Sequence, residues 1–119
     1  MTQGVARKAE PSAAARLKAR ALIFAALGDE TRLKVLDKLL TGEPQSIAHL
    51  TRGTDLTRQA VRKHLSVLEG AGVVRFVHVG RENRFELETR PLEDVRAYLD
   101  HVSTQWDKAL ARLKVLVEE

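Results

Sequence analysis

The sequence predicts an α+β fold, mainly α, with four helices, a β-hairpin and one long closing helix. Three observations predict it. Apolar residues recur at helical spacing, between strong caps and breakers, over most of residues 12–71. Two short β-branched and aromatic runs, VVRFVHV and RFELE, flank a glycine-led turn. A seven-residue apolar repeat then continues almost unbroken from Leu92 to Val117.

Each element has a local justification. Residues 1–10, MTQGVARKAE, show no periodicity and are expected to form a loose, slightly basic tail before one domain spanning 11–119. Pro11 and Ser12 open a helix through AAARLKARALIFAAL, in which Leu17, Ala21, Phe24 and Leu27 fall on one face. Gly28 ends it. Asp29 caps the second helix, ETRLKVLDKLL, with Leu33, Leu36 and Leu40 on its apolar side. Thr41-Gly42-Glu43-Pro44 is a strong break. Ser46 caps a short third helix, IAHLTRG, which Gly53 closes, and Thr57 caps the fourth, RQAVRKHLSVLEGAG.

Residues 73–79 and 84–88 read as a hairpin around a turn of four residues, Gly80-Arg81-Glu82-Asn83. The final helix is expected from Pro91 to about Val117. Proline takes its first position and Glu93-Asp94 its first turn, where the helix dipole favours acidic groups. Along it Leu92, Leu99, Trp106 and Leu113 share one heptad position. Val95, Val102, Ala109 and Leu116 share another, and Leu110 and Val117 widen the stripe. Such a stripe demands a partner surface, so a homodimer is expected, with Leu92, Val95, Leu99, Val102, Trp106, Leu110, Leu113 and Leu116 at its interface.

Composition narrows the function. A chain of 119 residues has room for one small domain, and 44% hydrophobic with 30% charged residues is a globular composition. Cysteine is absent, which excludes disulfides, thiolate metal sites and cysteine nucleophiles. No run approaches the ~20 apolar residues that span a bilayer and the N-terminus lacks the apolar block of a signal peptide, so no membrane partner is expected and the location is read as cytoplasmic. No glycine-rich phosphate cradle, nucleophile–base arrangement or spaced carboxylate pair rises above chance; neither enzyme activity nor a cofactor is expected.

The charge is unevenly placed. The net charge of +4 conceals +3 over residues 1–51, +4 over residues 52–84 and −3 over residues 85–119. A concentrated positive centre suits a polyanion, with the acidic end left for another purpose.

That centre has the spacing of a helix-turn-helix: residues 46–52, a turn at Gly53-Thr54-Asp55-Leu56, then a recognition helix at 57–71. The hairpin over 73–88 adds a wing. In the recognition helix Val61, Leu65 and Leu68 form the inward stripe with Ala60 at its edge. Arg58, Gln59, Arg62, Lys63 and Ser66 are left outward, the division that major-groove reading requires. Arginine suits guanine and glutamine adenine, while Thr57 and the helix N-terminus can donate to a phosphate. Arg81 at the hairpin tip and Arg84 on its strand are the further DNA candidates, suited to a minor groove or its phosphates.

The segments LGDETRLKVLDKLL, TRQAVRKHLSVLEGAGVV and VGRENRFEL closely resemble the ArsR/SmtB family of small bacterial winged-helix transcriptional repressors, and the resemblance covers about residues 20–118. It implies a homodimer on an imperfect palindrome of double-stranded DNA, released by an inducing signal. The recognition helix falls on 57–71, the wing on 79–84 and the terminal dimerisation helix on 91–117. The chain departs from metal-sensing members, which carry a cysteine motif at the third helix or an Asp/His cluster on the terminal helix. Here the third helix reads QSIAHLTRG, and Asp100 and His101 are adjacent, pointing about 100° apart with no second histidine following. His49, His64 and His78 are scattered, so no metal site is assigned and the inducer stays open, an unknown small molecule included. Two other readings stand beside the repressor: a winged-helix protein–protein scaffold, and a metal- or ligand-responsive regulator with an unrecognised effector site. A scaffold should carry apolar or mixed-charge residues where Arg58, Gln59, Arg62 and Lys63 stand.

Overall fold

A computed structural model describes residues 10–118; the tail expected over residues 1–10 lies, apart from Glu10, outside the described residues. The elements run α1 (Ala13–Leu27), α2 (Glu30–Leu39), β1 (Gln45–Ser46), α3 (Ile47–Thr51), α4 (Arg58–Gly70), β2 (Val74–Val79), β3 (Glu82–Leu87) and α5 (Thr89–Glu118). This is the mainly α, winged helix-turn-helix arrangement, closed by a long helix.

The first four helices start where a short polar side chain can satisfy a free backbone amide. Ser12 accepts from the Ala15 amide at 3.0 Å and Asp29 from that of Arg32 at 2.9 Å. Ser46 accepts from the His49 amide at 3.1 Å and Thr57 from that of Ala60 at 3.0 Å. Cations on α2 then close the ends of its neighbours. Arg32 Nε donates to the carbonyl of Ala26 at the end of α1, at 2.7 Å. Lys38 Nζ donates to those of Leu50 and Arg52 at the end of α3, at 3.1 and 2.7 Å. Positive charge on exposed C-terminal carbonyls suits the helix dipole.

The core gathers Ile23 and Ala26 of α1, Val35, Leu36 and Leu39 of α2, Leu50 of α3, and Val61, Leu65 and Leu68 of α4, capped by Val73, Val74, Phe85 and Val95. Two expected faces are corrected here. On α1 the inward residues are Ile23 and Ala26; Leu17, Ala21 and Phe24 are exposed, with the Phe24 ring edge-on to Tyr98 of α5. On α2 they are Val35, Leu36 and Leu39, and Leu33 and Leu40 point to solvent. Both helices carry two overlapping stripes at helical spacing, and packing against α4 selects between them.

The sheet holds three antiparallel strands in the order β1-β3-β2, although sequence expected only the hairpin. Gln45 and Ser46 pair with Phe85 and Arg84, which ties the entry of α3 to the wing. The hairpin turn is shorter than expected. Glu82 and Asn83 belong to β3, opposite Val79 and His78, leaving Gly80 and Arg81 as a two-residue loop. Gly80 has φ +62° and Arg81 is not left-handed, the pattern of a type II′ turn whose twist matches the strands.

Helix α5 begins two residues earlier than expected, at Thr89, so Pro91 is its third residue and no acidic group lies in its first turn. Proline is tolerated there because the first-turn amides have no acceptor within the helix. Over most of its 30 residues α5 runs clear of the body, and Val95 is its one buried residue.

Candidate nucleic-acid interface

Helix α4 is held from three sides, by α1, α2 and α3, and its inward stripe leaves no freedom of rotation. Val61, Leu65 and Leu68 are wholly buried. Arg58, Gln59, Arg62, Lys63 and Ser66 are all exposed on the other face, and Ala60 and His64 lie half-buried at the borders. Thr57 is exposed too; its oxygen accepts the Ala60 amide while its O–H remains able to donate outward. Among the described residues Arg58, Arg62 and Lys63 pair with no carboxylate. Three free cations and an amide therefore share the outer face of one rigid helix.

The turn before α4 is built to aim it. Gly53 takes φ +79°, a backbone conformation that other side chains rarely adopt. Thr54 donates its hydroxyl to the Thr51 carbonyl at 2.6 Å and accepts the Leu56 amide at 3.2 Å. Behind α4, Asp29 comes within 4.0 Å of His64 Nδ1. The Arg32 amide holds the Asp29 carboxyl below its ordinary value, with the Arg32 charge and His64 acting in the same direction against partial desolvation.

The wing separates the two sequence candidates it carries. Strand register places Val74, Phe76 and His78 on one face, opposite Leu87, Phe85 and Asn83. Arg75, Val77 and Val79 share the other face with Glu86, Arg84 and Glu82. Arg81 is exposed at the tip and has no ion pair among the described residues. Arg84 differs. It lies on the outer face, where its Nε and Nη2 donate to Glu82 at 3.0 and 2.6 Å. Arg75 is engaged likewise, within 2.7 Å of Glu86 and 3.7 Å of Glu88, and the Glu86 carboxylate raises its pKa further. The structure thus brings Thr57, Arg58, Gln59, Arg62, Lys63 and Ser66 together on α4, sets Arg81 apart at the tip, and does not bring Arg84 into their company.

On the inner face a groove of about 360 Å³ separates the wing from α4, lined by Ile47, Arg62, Phe76, Asn83 and Phe85. The Phe76 ring stands edge-on to His78 and to Phe85, at 5.0 and 5.5 Å. Sequence reading gave Phe76, His78 and Asn83 no part in the interface. The signal that could have found them is the alternation of β3 continued back from the core residue Phe85 to Asn83.

The expected dimer stripe divides in two. Val95 is buried and Leu92 half-buried against the chain's own core, so the uncovered part of the stripe begins at Leu99. Leu99, Val102, Trp106, Leu110, Leu113 and Leu116 are exposed, the last four at 64%, 47%, 56% and 70%. Among the described residues no three His, Asp or Glu side chains gather as a metal site.

Comparison with known proteins places this geometry among relatives. A family model described as a helix-turn-helix domain matches residues 27–77. The chain is 38% identical over 79 residues to the uncharacterized HTH-type transcriptional regulator YuzN of Bacillus subtilis, over 61% of this chain and 86% of that protein. Among solved structures it is similar to an ArsR-like transcriptional regulator from Rhodococcus sp. RHA1, with a TM-score of 0.72 and 37% identity over 84% of this chain and 93% of the other. It is also similar to the homodimeric winged helix-turn-helix DNA-binding domain Mb0332 of Mycobacterium bovis, a possible ArsR-family regulator. There the TM-score is 0.60 and the identity 25%, over 87% and 94% of the two chains.

Proposed function

Because the chain belongs to the ArsR family of winged helix-turn-helix transcriptional regulators, we propose that it acts as a homodimer that binds double-stranded DNA through α4 and the tip of the wing. The observation that carries this reading is the outer face of α4, where Arg58, Gln59, Arg62 and Lys63 stand exposed on a helix locked by its buried side, the three cations meeting no carboxylate among the described residues. Gln59 and Arg58, near the helix N-terminus, are positioned to meet base edges. Thr57, Lys63 and Ser66 suit phosphates, and Arg81 suits the adjacent minor groove. A scaffold has no use for a face so uniformly cationic.

Dimerisation is supported by what α5 leaves uncovered. A compact chain of this length would have a radius of gyration of about 13.5 Å, whereas this one has 19.6 Å. The excess reflects the length of α5 that runs clear of the body beyond its packed first turns. Each large apolar side chain is worth roughly 1.5–3 kcal/mol when fully buried. Six on each of two copies can offset an association cost of roughly 4–15 kcal/mol. A two-fold pair would present two α4 helices to half-sites about one helical turn apart.

The family resemblance extends the proposal to repression from an imperfect palindrome, relieved by an inducing signal, in the cytoplasm where the DNA is. Without cysteine the chain has no thiolate to receive that signal, which favours a small molecule as inducer. No helix among the described residues is long and apolar enough to cross a membrane. The test is a titration of duplexes selected from genomic fragments, repeated across salt concentrations. With about four cations per protomer on phosphates, the log–log slope of affinity against salt should be near −7 for a dimer. A slope near zero on every duplex overturns the reading.

A further inference from the structure

We propose that the groove between α4 and the inner face of the wing is the seat of one sugar–phosphate strand, gripped by Arg62 and Asn83 with Phe76 beneath it. This rests on the DNA-binding reading above. The argument is first geometric. A major groove and the minor groove beside it are separated by one backbone strand. If α4 occupies the first and Arg81 the second, that strand must cross between α4 and the wing. The depression between them is the one lined by Ile47, Arg62, Phe76, Asn83 and Phe85.

The chemistry of the lining agrees. Arg62 supplies a cation that pairs with no carboxylate among the described residues, and Asn83 an exposed amide that can donate to a phosphate oxygen. Phe76 keeps 41% of its surface exposed although its strand partner Phe85 is buried, so an aromatic face is left for a deoxyribose to cover. His78, opposite Asn83 and edge-on to Phe76, extends this polar rim toward the tip. The carboxylates of the wing are kept away. Glu82 and Glu86 lie on the outer face, and Arg84 and Arg75 neutralise them there. Strand register thus leaves the inner face of the hairpin without a carboxylate. The seat also moves Arg62 from reading a base, as its sequence position suggested, to holding the strand.

The test compares wild type, Asn83→Ala and Asn83→Asp on a selected duplex and on a scrambled duplex of equal composition. Asn83 is exposed, so the fold is expected to survive both changes, with thermal melts as the check. A lost phosphate contact should cost Asn83→Ala several-fold in affinity, and Asn83→Asp, which sets a carboxylate against the strand, about tenfold or more, equally on both duplexes. Arg84→Ala, on the outer face, should stay within about twofold. A second measurement replaces single phosphates by neutral methylphosphonates. The position that weakens wild type should have no further effect on Asn83→Ala, because two changes to one contact do not add. Asn83→Asp within twofold of wild type, a loss confined to the selected duplex, or full additivity at every phosphate would each overturn the seat. In any of those cases a steep salt slope for wild type leaves DNA binding standing. A flat slope for wild type instead removes the reading on which the seat rests.

Discussion

Helices α4 and α5 are both amphipathic, yet the chain disposes of their faces in opposite ways. In α4 the apolar side is closed inside the chain, with Val61, Leu65 and Leu68 fully buried, and the outward side is cationic and unpaired. In α5 only Val95 is buried, and the outward side is leucine, valine and tryptophan. Each helix therefore specifies the chemistry of what it lacks. The first lacks anions and the second lacks apolar surface. Polyanion binding and self-association are separate demands, made by separate elements.

The largest effect should come from breaking the α5 half. Leu99→Glu combined with Leu110→Glu places two carboxylates in the exposed stripe, far from the closed core. Sedimentation equilibrium should show the mass halved. Affinity for a duplex with two half-sites should fall about 10²- to 10⁴-fold as avidity is lost, while binding to a single half-site stays near the wild-type protomer level. A dimer that survives this change would mean that α5 is covered by something other than its twin.

The next test breaks the α4 half. Leu65→Ala, at a wholly buried position, should cost roughly 2–5 kcal/mol in urea denaturation. A loss below about 1 kcal/mol would show that the buried stripe is not what locks the helix. On the outer side, Arg62→Ala should lose roughly 1–3 kcal/mol of binding. If it grips the strand, the loss should be equal on selected and scrambled duplexes. Gln59→Ala should instead concentrate its loss on the selected duplex, since an amide read against a base carries sequence preference.

Which features were legible in the sequence follows from how many constraints bear on each. The stripe Val61, Leu65, Leu68 was legible because the Thr57 cap and helical periodicity agree and no rival stripe exists on α4. On α2, Leu33-Leu36-Leu40 and Val35-Leu36-Leu39 satisfy the same spacing, and only packing against α4, with α1 and β3 beside it, decides for the second. Strand β1 is two residues long, too short for any periodicity to announce it. The turn was misjudged because Glu82 and Asn83 are poor strand formers, overridden by the register that Phe85 imposes opposite Phe76. Arg84 looked free beside Arg81 because charge counting ignores faces. Glu82, two residues away on the same side of β3, is the partner that alternation would have revealed. Leu92 and Val95 fit the heptad as well as Leu99 does, and only the body's position shows where core ends and free stripe begins.

The smallest expected effect sharpens the closed half, where Asp29 joins the start of α2 to the back of α4. Its carboxyl is lowered in the folded chain, chiefly by the Arg32 amide, with the Arg32 charge and His64 adding to it. A lowered folded value means that the ionised form is stabilised by folding. That contribution is fully present above the unfolded value of about 3.9, and it is lost as pH falls through the lower folded value. Asp29→Asn keeps a capping oxygen but cannot ionise. In urea denaturation at neutral pH the variant should be slightly less stable than wild type, because the charged cap and the neighbouring Arg32 no longer attract. As pH falls through the lowered folded value of Asp29 the two should converge, since protonated Asp29 is then as neutral as asparagine. Parallel pH profiles without convergence would place the acid sensitivity elsewhere. They would leave the Arg32 amide as a cap that prefers no charge, contrary to the geometry at the head of α2.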